Sequence, residues 1–126
     1  MEQKLKFYID GKWVDPVTPK TLEVINPANE EPFAVISMGS KADVDKAVAA
    51  ARKAFETFSQ TSREERVALL EKIVAVYQKR YGDIVKAISM EMGAPLSLSQ
   101  NAQAAIGMGH LQQGIKILKE YEFEQV

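Results

Sequence analysis

The sequence predicts an α+β fold that is mostly α, in which an N-terminal β-hairpin and short strands are followed by about four helices. Apolar residues recur with a period of two at the start of the chain and with a period between three and four from Ser40 onward. Turn and capping residues separate these segments. We therefore expect a single partial domain over residues 1–126, with a strand region, 1–39, and a helical region, 40–126.

The strand region contains a hairpin signal and two further extended runs. Asp10 and Gly11 stand between two β-favouring runs, and this pair favours a type I′ turn because both central residues need a positive φ. Residues 21–25 form another β-favouring run that ends before Pro27, and residues 33–38 form a third. Strands this short normally need another layer to cover them.

Serine caps predict the starts of the first two helices. Ser40 with Asp43, and Ser62 with Glu65, have the spacing of a capping box, in which each side chain satisfies the other residue's free N–H group. Apolar residues follow at helical spacing on both helices. They are Val44, Ala47, Val48, Ala51, Phe55 and Phe58 on the first helix, and Val67, Leu70, Ile73 or Val74, and Tyr77 on the second.

Two more helices are expected after a break at residues 81–83. Asp83 is expected to cap the third helix, and Gly93 suits the left-handed position that ends it. Its expected buried side comprises Ile84, Val85, Ile88 and Met92. The fourth helix is expected from about Leu96 to Tyr121, and the alternation over residues 120–126 resembles the start of a strand. Each glycine in the fourth helix costs roughly 1 kcal/mol relative to alanine, so another element or a substrate passage is expected against that face. These glycines are Gly107, Gly109 and Gly114.

Composition excludes several classes of function. Sixteen basic residues against seventeen acidic ones give a net charge of -1, so no excess charge favours nucleic acid or an anionic membrane as a partner. No apolar run approaches the roughly 20 residues of a membrane-spanning helix, and the start lacks a secretory signal, so we expect a cytoplasmic protein. The chain has no cysteine, which excludes a thiolate nucleophile and a cysteine-ligated metal within it.

Residue patterns predict no catalytic or cofactor-binding residue in this chain. His110 is the only imidazole and stands on a predicted helix without a clustered acid or nucleophile, which favours a structural role. The Gly107-Met108-Gly109 run is not a dinucleotide fingerprint, because such a loop must follow a strand and open a helix.

Several stretches in order resemble the N-terminal region of the aldehyde dehydrogenase superfamily. Residues 8–13 (YIDGKW) and 24–28 (VINPA) with Glu30 resemble the family's opening hairpin and its "INPAT-E" turn. Residues 42–55 resemble its first helix, residues 62–66 the start of its second helix, and residues 91–95 (EMGAP) its "E-x-G-x-P" corner. The resemblance implies a fragment of the α/β fold of that family, whose chains are several times longer.

The resemblance implies an activity for a complete enzyme. That activity is the NAD- or NADP-dependent oxidation of an aldehyde to a carboxylic acid through a cysteine thioester. The catalytic cysteine, the glutamate that activates water and the cofactor-binding strands of the family fall in portions absent from residues 1–126. We therefore expect this chain to act as scaffold, to bind no cofactor and to be inactive alone.

Two groups of site residues follow from the resemblance, both for a complete enzyme. Main-chain carbonyls of Val24 and Ile25, with the carboxylate of Glu91, match positions that hold a monovalent cation, and oxygen ligands suit a hard cation. The fourth helix resembles one that lines the aldehyde passage, which places three of its residues near substrate, although plain helix packing explains small residues there equally well. These residues are Ala104, Gly107 and Met108.

A second hypothesis is a self-standing helical interaction module that kept the fold and lost the enzyme activity. The two hypotheses differ in the apolar surface that they leave open. A fragment should expose more apolar surface than the few hundred square ångströms normal for a monomer, and should therefore self-associate. A module should be a compact, stable monomer or bind a defined partner.

Overall fold

The computed structural model describes residues 1–124, and the chain forms two compact units, Met1–Gln60 and Thr61–Val126. The first unit contains five strands and one helix, and the second is helical over its described part. The predicted α+β, mostly α fold is confirmed. The single partial domain over residues 1–126 remains a prediction, and Gln125 and Val126, at the end of the expected strand-like alternation, lie outside the described residues.

A three-stranded sheet occupies the first unit. β1 (Glu2–Lys4) pairs in parallel with β5 (Glu31–Ser37), and β4 (Thr21–Asn26) pairs antiparallel with the other edge of β5. The predicted runs therefore form β4 and β5, and Ala34 at the centre of β5 is the buried residue of this sheet. β1 was not predicted, because its polar residues carry no apolar alternation and its pairing with β5 is non-local.

The predicted hairpin is confirmed in the same unit. β2 (Phe7–Ile9) pairs antiparallel with β3 (Lys12–Val14). Asp10 and Gly11 connect them with φ values of 53° and 73°, which is the pair of positive values that a type I′ turn requires. The turn chemistry of two residues therefore fixes the register of this hairpin.

α1 (Lys41–Phe58) completes the first unit. Its predicted capping box is present, since Ser40 Oγ accepts from the backbone N–H of Asp43 and the Asp43 carboxylate accepts from the backbone N–H of Ser40. Asp43 also accepts from the backbone N–H of Val17 at 2.9 Å, which ties the segment after the hairpin to the start of α1. The apolar stripe is exposed, as Val44, Val48, Phe55 and Phe58 show.

The second unit contains α2 (Arg63–Lys79), α3 (Tyr81–Met92), α4 (Leu96–Leu98) and α5 (Ala104–Glu120), with a π-helical segment (Ser99–Gln103) between the last two. Its buried apolar residues come from three helices, namely Val67 on α2, Val85 on α3, and Ala104 and Ile115 on α5. The predicted spacing of α2 is confirmed, because Val67, Leu70, Val74 and Tyr77 are its buried or half-buried apolar positions in the described structure.

Two expectations for α3 are wrong. Asp83 does not cap the helix, because Tyr81 is already helical and the cap position is Arg80, whose Nε donates to the Asp83 carboxylate at 3.3 Å. Met92 is 66 % exposed, since the helix ends immediately after it. Gly93 adopts the predicted left-handed conformation with φ of 68°.

Arg63 connects the start of α2 with the end of α5. Its guanidinium donates to the carbonyl oxygen of Tyr121 at 2.7 Å and to that of Lys119 at 3.3 Å, and it lies 5.3 Å from the ring centroid of Phe123. Lys119 also pairs with Glu71 of α2 at 2.8 Å. These contacts satisfy carbonyl groups that the end of a helix leaves without intrahelical donors.

Candidate functional site

Tyr77 of α2 lies against the start of α5. Its hydroxyl donates to the carbonyl oxygen of Ala104 at 2.7 Å. A Cβ added to Gly107 would lie 2.6 Å from the same hydroxyl oxygen, which is closer than side-chain contacts allow. Glycine at position 107 therefore makes room for the phenol, and the expected close neighbour of this helix face is a side chain. An added Cβ on Gly109 or Gly114 would meet no described atom within 4 Å, so a close neighbour of those two positions remains a prediction.

Tyr81 makes an equivalent contact one turn further along the chain. Its hydroxyl donates to the carbonyl oxygen of Gln100, inside the π-helical segment. The backbone N–H of Ala104 donates to the carbonyl oxygen of Ser99, five residues back, which is the hydrogen bond of a π-turn. The sequence placed Tyr77 on an apolar stripe and Tyr81 in a break, and neither prediction foresaw these contacts. One sequence feature is compatible with these contacts. The two tyrosines are one helical turn apart from each other, and their acceptors, Gln100 and Ala104, are also one turn apart from each other.

The three residues assigned to a substrate passage lie together on α5. Ala104 is fully buried, and Gly107 and Met108 are half-buried. The Tyr77 hydroxyl binds the carbonyl oxygen of Ala104 and occupies the space beside Gly107, so helix packing explains the glycine at position 107. A role of Ala104, Gly107 and Met108 near substrate remains a prediction.

The carbonyl groups proposed for a cation lie at an irregularity in the sheet. Val24 pairs with Ala34 and Ile25 pairs with Pro32, so the register shifts between the two residues. Pro32 has no N–H group to donate to the ladder. Main-chain oxygens suit a hard monovalent cation, so the ligand type assigned to Val24 and Ile25 is chemically sensible.

Glu91 lies in the last turn of α3, beside the left-handed Gly93, and is exposed. Ser89 Oγ donates to the carbonyl oxygen of Ala94 at 2.9 Å, which holds the corner closed after the helix. Glu91 and the pair Val24 and Ile25 belong to different units. The cation site of Val24, Ile25 and Glu91 therefore remains a prediction.

The expectation that the ionisable groups of residues 1–124 include no catalytic residue stays a prediction. No group of three or more histidine, aspartate or glutamate side chains there could hold a metal ion. His110 is exposed on α5, and the Gly107-Met108-Gly109 run lies inside that helix, as predicted. The hydroxyl of Ser40, followed by the N–H groups of Val17 and Ser40, lowers the pKa of Asp43 below its ordinary value of 3.8. These hydrogen bonds give the Asp43 carboxylate a structural role at the start of α1.

Comparison with known proteins gives consistent results. Residues 13–125 match the sequence profile of the aldehyde dehydrogenase family. A curated relative from Staphylococcus aureus (strain bovine RF122 / ET3-1), named "Putative aldehyde dehydrogenase", is 49 % identical over 125 residues, covering 99 % of this chain and 26 % of the relative. The crystal structure of an aldehyde dehydrogenase from Bartonella henselae is similar over 100 % of this chain and 26 % of its own, with 52 % identity and a TM-score of 0.98.

A second solved structure carries ligands. Aldehyde dehydrogenase C from Pseudomonas syringae, a mutant in complex with NAD+ and octanal, is 42 % identical to this chain with a TM-score of 0.93, over 96 % of this chain and 25 % of its own.

None of the described helices is both long and apolar enough to cross a bilayer.

The fold and the ordered motifs together identify the chain as an N-terminal segment of a larger protein. This chain spans about a quarter of the length of the relatives that it matches. The chain belongs to the aldehyde dehydrogenase family. The resemblance inferred from its motifs is therefore confirmed.

Proposed function

We propose that this chain is the scaffold segment of an NAD- or NADP-dependent enzyme that oxidises an aldehyde to a carboxylic acid. The observation that carries the proposal is a TM-score of 0.98 over all of this chain but only 26 % of the solved relative. A likeness of that extent means that the residues fold as they do inside a larger enzyme. The relative bound to NAD+ and octanal supports NAD as the cofactor and an apolar aldehyde as the substrate class.

Residues 1–126 alone are proposed to be inactive. Oxidation of an aldehyde through a thioester needs a cysteine thiolate, and the chain contains no cysteine. When bound to a complete enzyme, the nicotinamide cofactor supplies the hydride acceptor. The contribution of this chain is a rigid helical wall, in which the start of α5 is held by α2 through Tyr77. Such a wall orients an aldehyde and excludes water without supplying a reacting group.

A segment exchange tests the proposed function. This chain replaces the matching segment of the Bartonella henselae enzyme, and NAD reduction is followed with octanal and acetaldehyde. We expect the hybrid to reduce NAD and the isolated 126-residue chain to give no signal. The unaltered Bartonella enzyme is the positive control. A folded hybrid without activity would contradict the assignment of this segment, and NAD reduction by the isolated chain would contradict its inactivity.

Self-association of the isolated chain is a second part of the proposal. Exposed apolar side chains support it, including Phe55, which is 67 % exposed, and Trp13, which is also 67 % exposed. An open, mainly apolar groove of 320 Å³ between the hairpin and α1 adds to this surface, with Phe7 and Val44 in its walls. Apolar surface of this kind favours association between copies.

Solution mass distinguishes the fragment from the interaction module. Light scattering after gel filtration should show species larger than a monomer whose population rises with concentration, and Phe55→Ser should reduce it. The exposed polar substitution Gln78→Ser serves as the matched control. A compact monomer at every concentration favours the module.

Nucleic acid and membrane partners are not proposed, because the net charge is -1. A cytoplasmic location remains a prediction.

A further inference from the structure

We propose that Tyr77 and Tyr81 are positioning residues, whose hydroxyls clamp the π-helical segment and thereby set which face α5 presents to an aldehyde. The proposal rests on the proposed function, because it assumes that α5 forms a wall of the aldehyde passage. The two hydroxyls and their acceptors, the carbonyl oxygens of Ala104 and Gln100, form this clamp.

The two hydrogen bonds of the clamp lie at the π-turn. Tyr81 binds a carbonyl inside the π-helical segment, and Tyr77 binds the carbonyl of the first residue of α5. The rings lie one turn apart on neighbouring helices, with centroids 6.5 Å apart. A carbonyl oxygen has two lone pairs, so each can accept a phenol hydroxyl in addition to a backbone donor. The two hydroxyls therefore stabilise the backbone within the wider turn and at its end.

The π-turn has a geometric consequence for every later residue of α5. A π-turn contains one residue more than an α-turn, and one residue corresponds to a rotation of about 100° around a helix axis. Loss of the π-turn would rotate the side chains after it by that amount relative to α4 or would shift α5 along its axis. The exposed Ile106 and the half-buried Met108 would then face other directions. The rotational setting of α5 thus depends on the clamp.

The backbone that the clamp contacts is buried in the helical unit. Ser99 and Ala104, the two ends of the π-hydrogen bond, both have an exposed fraction of 0 %. Gly107 leaves the space that the Tyr77 hydroxyl occupies. The carbonyl of Ala104 and the open space at Gly107 therefore accommodate Tyr77, and the larger apolar side chains that remain for a substrate on this stretch are those of Ile106 and Met108.

Amide hydrogen exchange of the 126-residue chain tests the clamp without any activity. Tyr77→Phe and Tyr81→Phe each remove one hydroxyl and keep the ring. We expect exchange over residues 99–108 to accelerate about fivefold in each variant, because one net hydrogen bond is lost from the local opening equilibrium. Tyr8→Phe is the matched control, since Tyr8 lies in the other unit with its ring exposed, and it should leave residues 99–108 unchanged.

Kinetics of the hybrid enzyme test the positioning role. Each clamp variant is introduced into the Bartonella hybrid, and KM and kcat are measured for octanal and for acetaldehyde. We expect the KM of octanal to rise about fivefold, while the kcat for acetaldehyde and the KM of NAD stay within about twofold, because a misplaced wall weakens binding of the long chain and leaves the chemical step intact.

Each outcome decides between the two proposals. Unchanged exchange in both variants overturns the clamp. Accelerated exchange with unchanged octanal KM overturns the positioning role. An inactive unaltered hybrid contradicts the proposed function alone, and the exchange measurement then still decides the clamp. If Tyr77→Phe does not fold, Tyr81→Phe, whose hydroxyl contact lies nearer the surface, provides both measurements.

Discussion

Replacing Gly107 with alanine should destabilise the helical unit, whereas the same change at Gly109 or Gly114 should stabilise it. Alanine is favoured over glycine by about 1 kcal/mol in a helix interior. All three glycines lie within α5, so this local preference is similar at each position. The difference between them lies in what an added methyl group would contact.

The contacts of the added Cβ give the expected magnitude. At Gly107 it would lie 2.6 Å from Tyr77 Oη and 3.1 Å from Cζ. Overpacking of this kind costs about 1–3 kcal/mol, and displacing the hydroxyl removes a hydrogen bond worth about 1 kcal/mol. After subtraction of the helix preference, the net loss is about 1–3 kcal/mol. At Gly109 and Gly114 no described atom lies within 4 Å, so the full gain of about 1 kcal/mol is expected.

Urea unfolding of the 126-residue chain, followed by circular dichroism, measures this difference. With a slope of about 1–3 kcal/mol per molar urea, each kcal/mol moves the midpoint by roughly 0.3–1 M. Tyr77→Phe combined with Gly107→Ala removes the closest atom, so the double variant should lose less than the sum of the two single losses. A Gly107→Ala midpoint as high as that of Gly109→Ala would refute the close-contact explanation.

Three further predictions concern the caps of the helices. Gly93→Ala should cost about 1 kcal/mol in the same urea assay, because its φ of 68° is unfavourable for a residue with a Cβ, and Gly93→Asn should cost less. Ser62→Ala should cost about 1 kcal/mol because the backbone N–H of Glu65 loses its acceptor at 3.1 Å, and Ser97→Ala, at an exposed position, should show no loss. The pKa of the Asp43 carboxyl is lowered on folding, so its contribution to stability is fully present above its unfolded pKa and is lost as pH falls through the lower folded pKa. Asp43→Asn should therefore be less stable than the parent near neutral pH, and urea midpoints measured down to about pH 3 should show that difference shrinking; a constant difference would contradict the assigned hydrogen bonds.

Local signals in the sequence predicted most of the elements. Asp10-Gly11 fixed the hairpin, the two serine caps fixed the starts of α1 and α2, and Gly93 fixed the end of α3. In each case the backbone conformation depends on residues that are neighbours in sequence, so a short stretch carries the information. The ordered motifs identified the family in the same way.

Non-local contacts account for what the sequence did not predict. β1 forms because β5 offers an edge, and α3 begins at Tyr81 rather than after Asp83. The π-helical segment and the start of α5 accept hydrogen bonds from tyrosines 19 and 27 residues earlier, and at those separations the helical periodicity alone did not predict which residues meet. Periodicity also identified the apolar face of α1 without indicating what covers it, and that face is exposed here.

The link between Arg63 and the end of α5 affects how the helical unit opens. Residues separated by 56 and 58 positions are joined through one guanidinium, so the first turn of α2 and the last turn of α5 hold each other in place. Closing a loop of that length costs conformational entropy, which the contacts at its two ends must offset. Once it is closed, neither end can fray without releasing the other, and the unit should lose its protease resistance at both ends at the same rate.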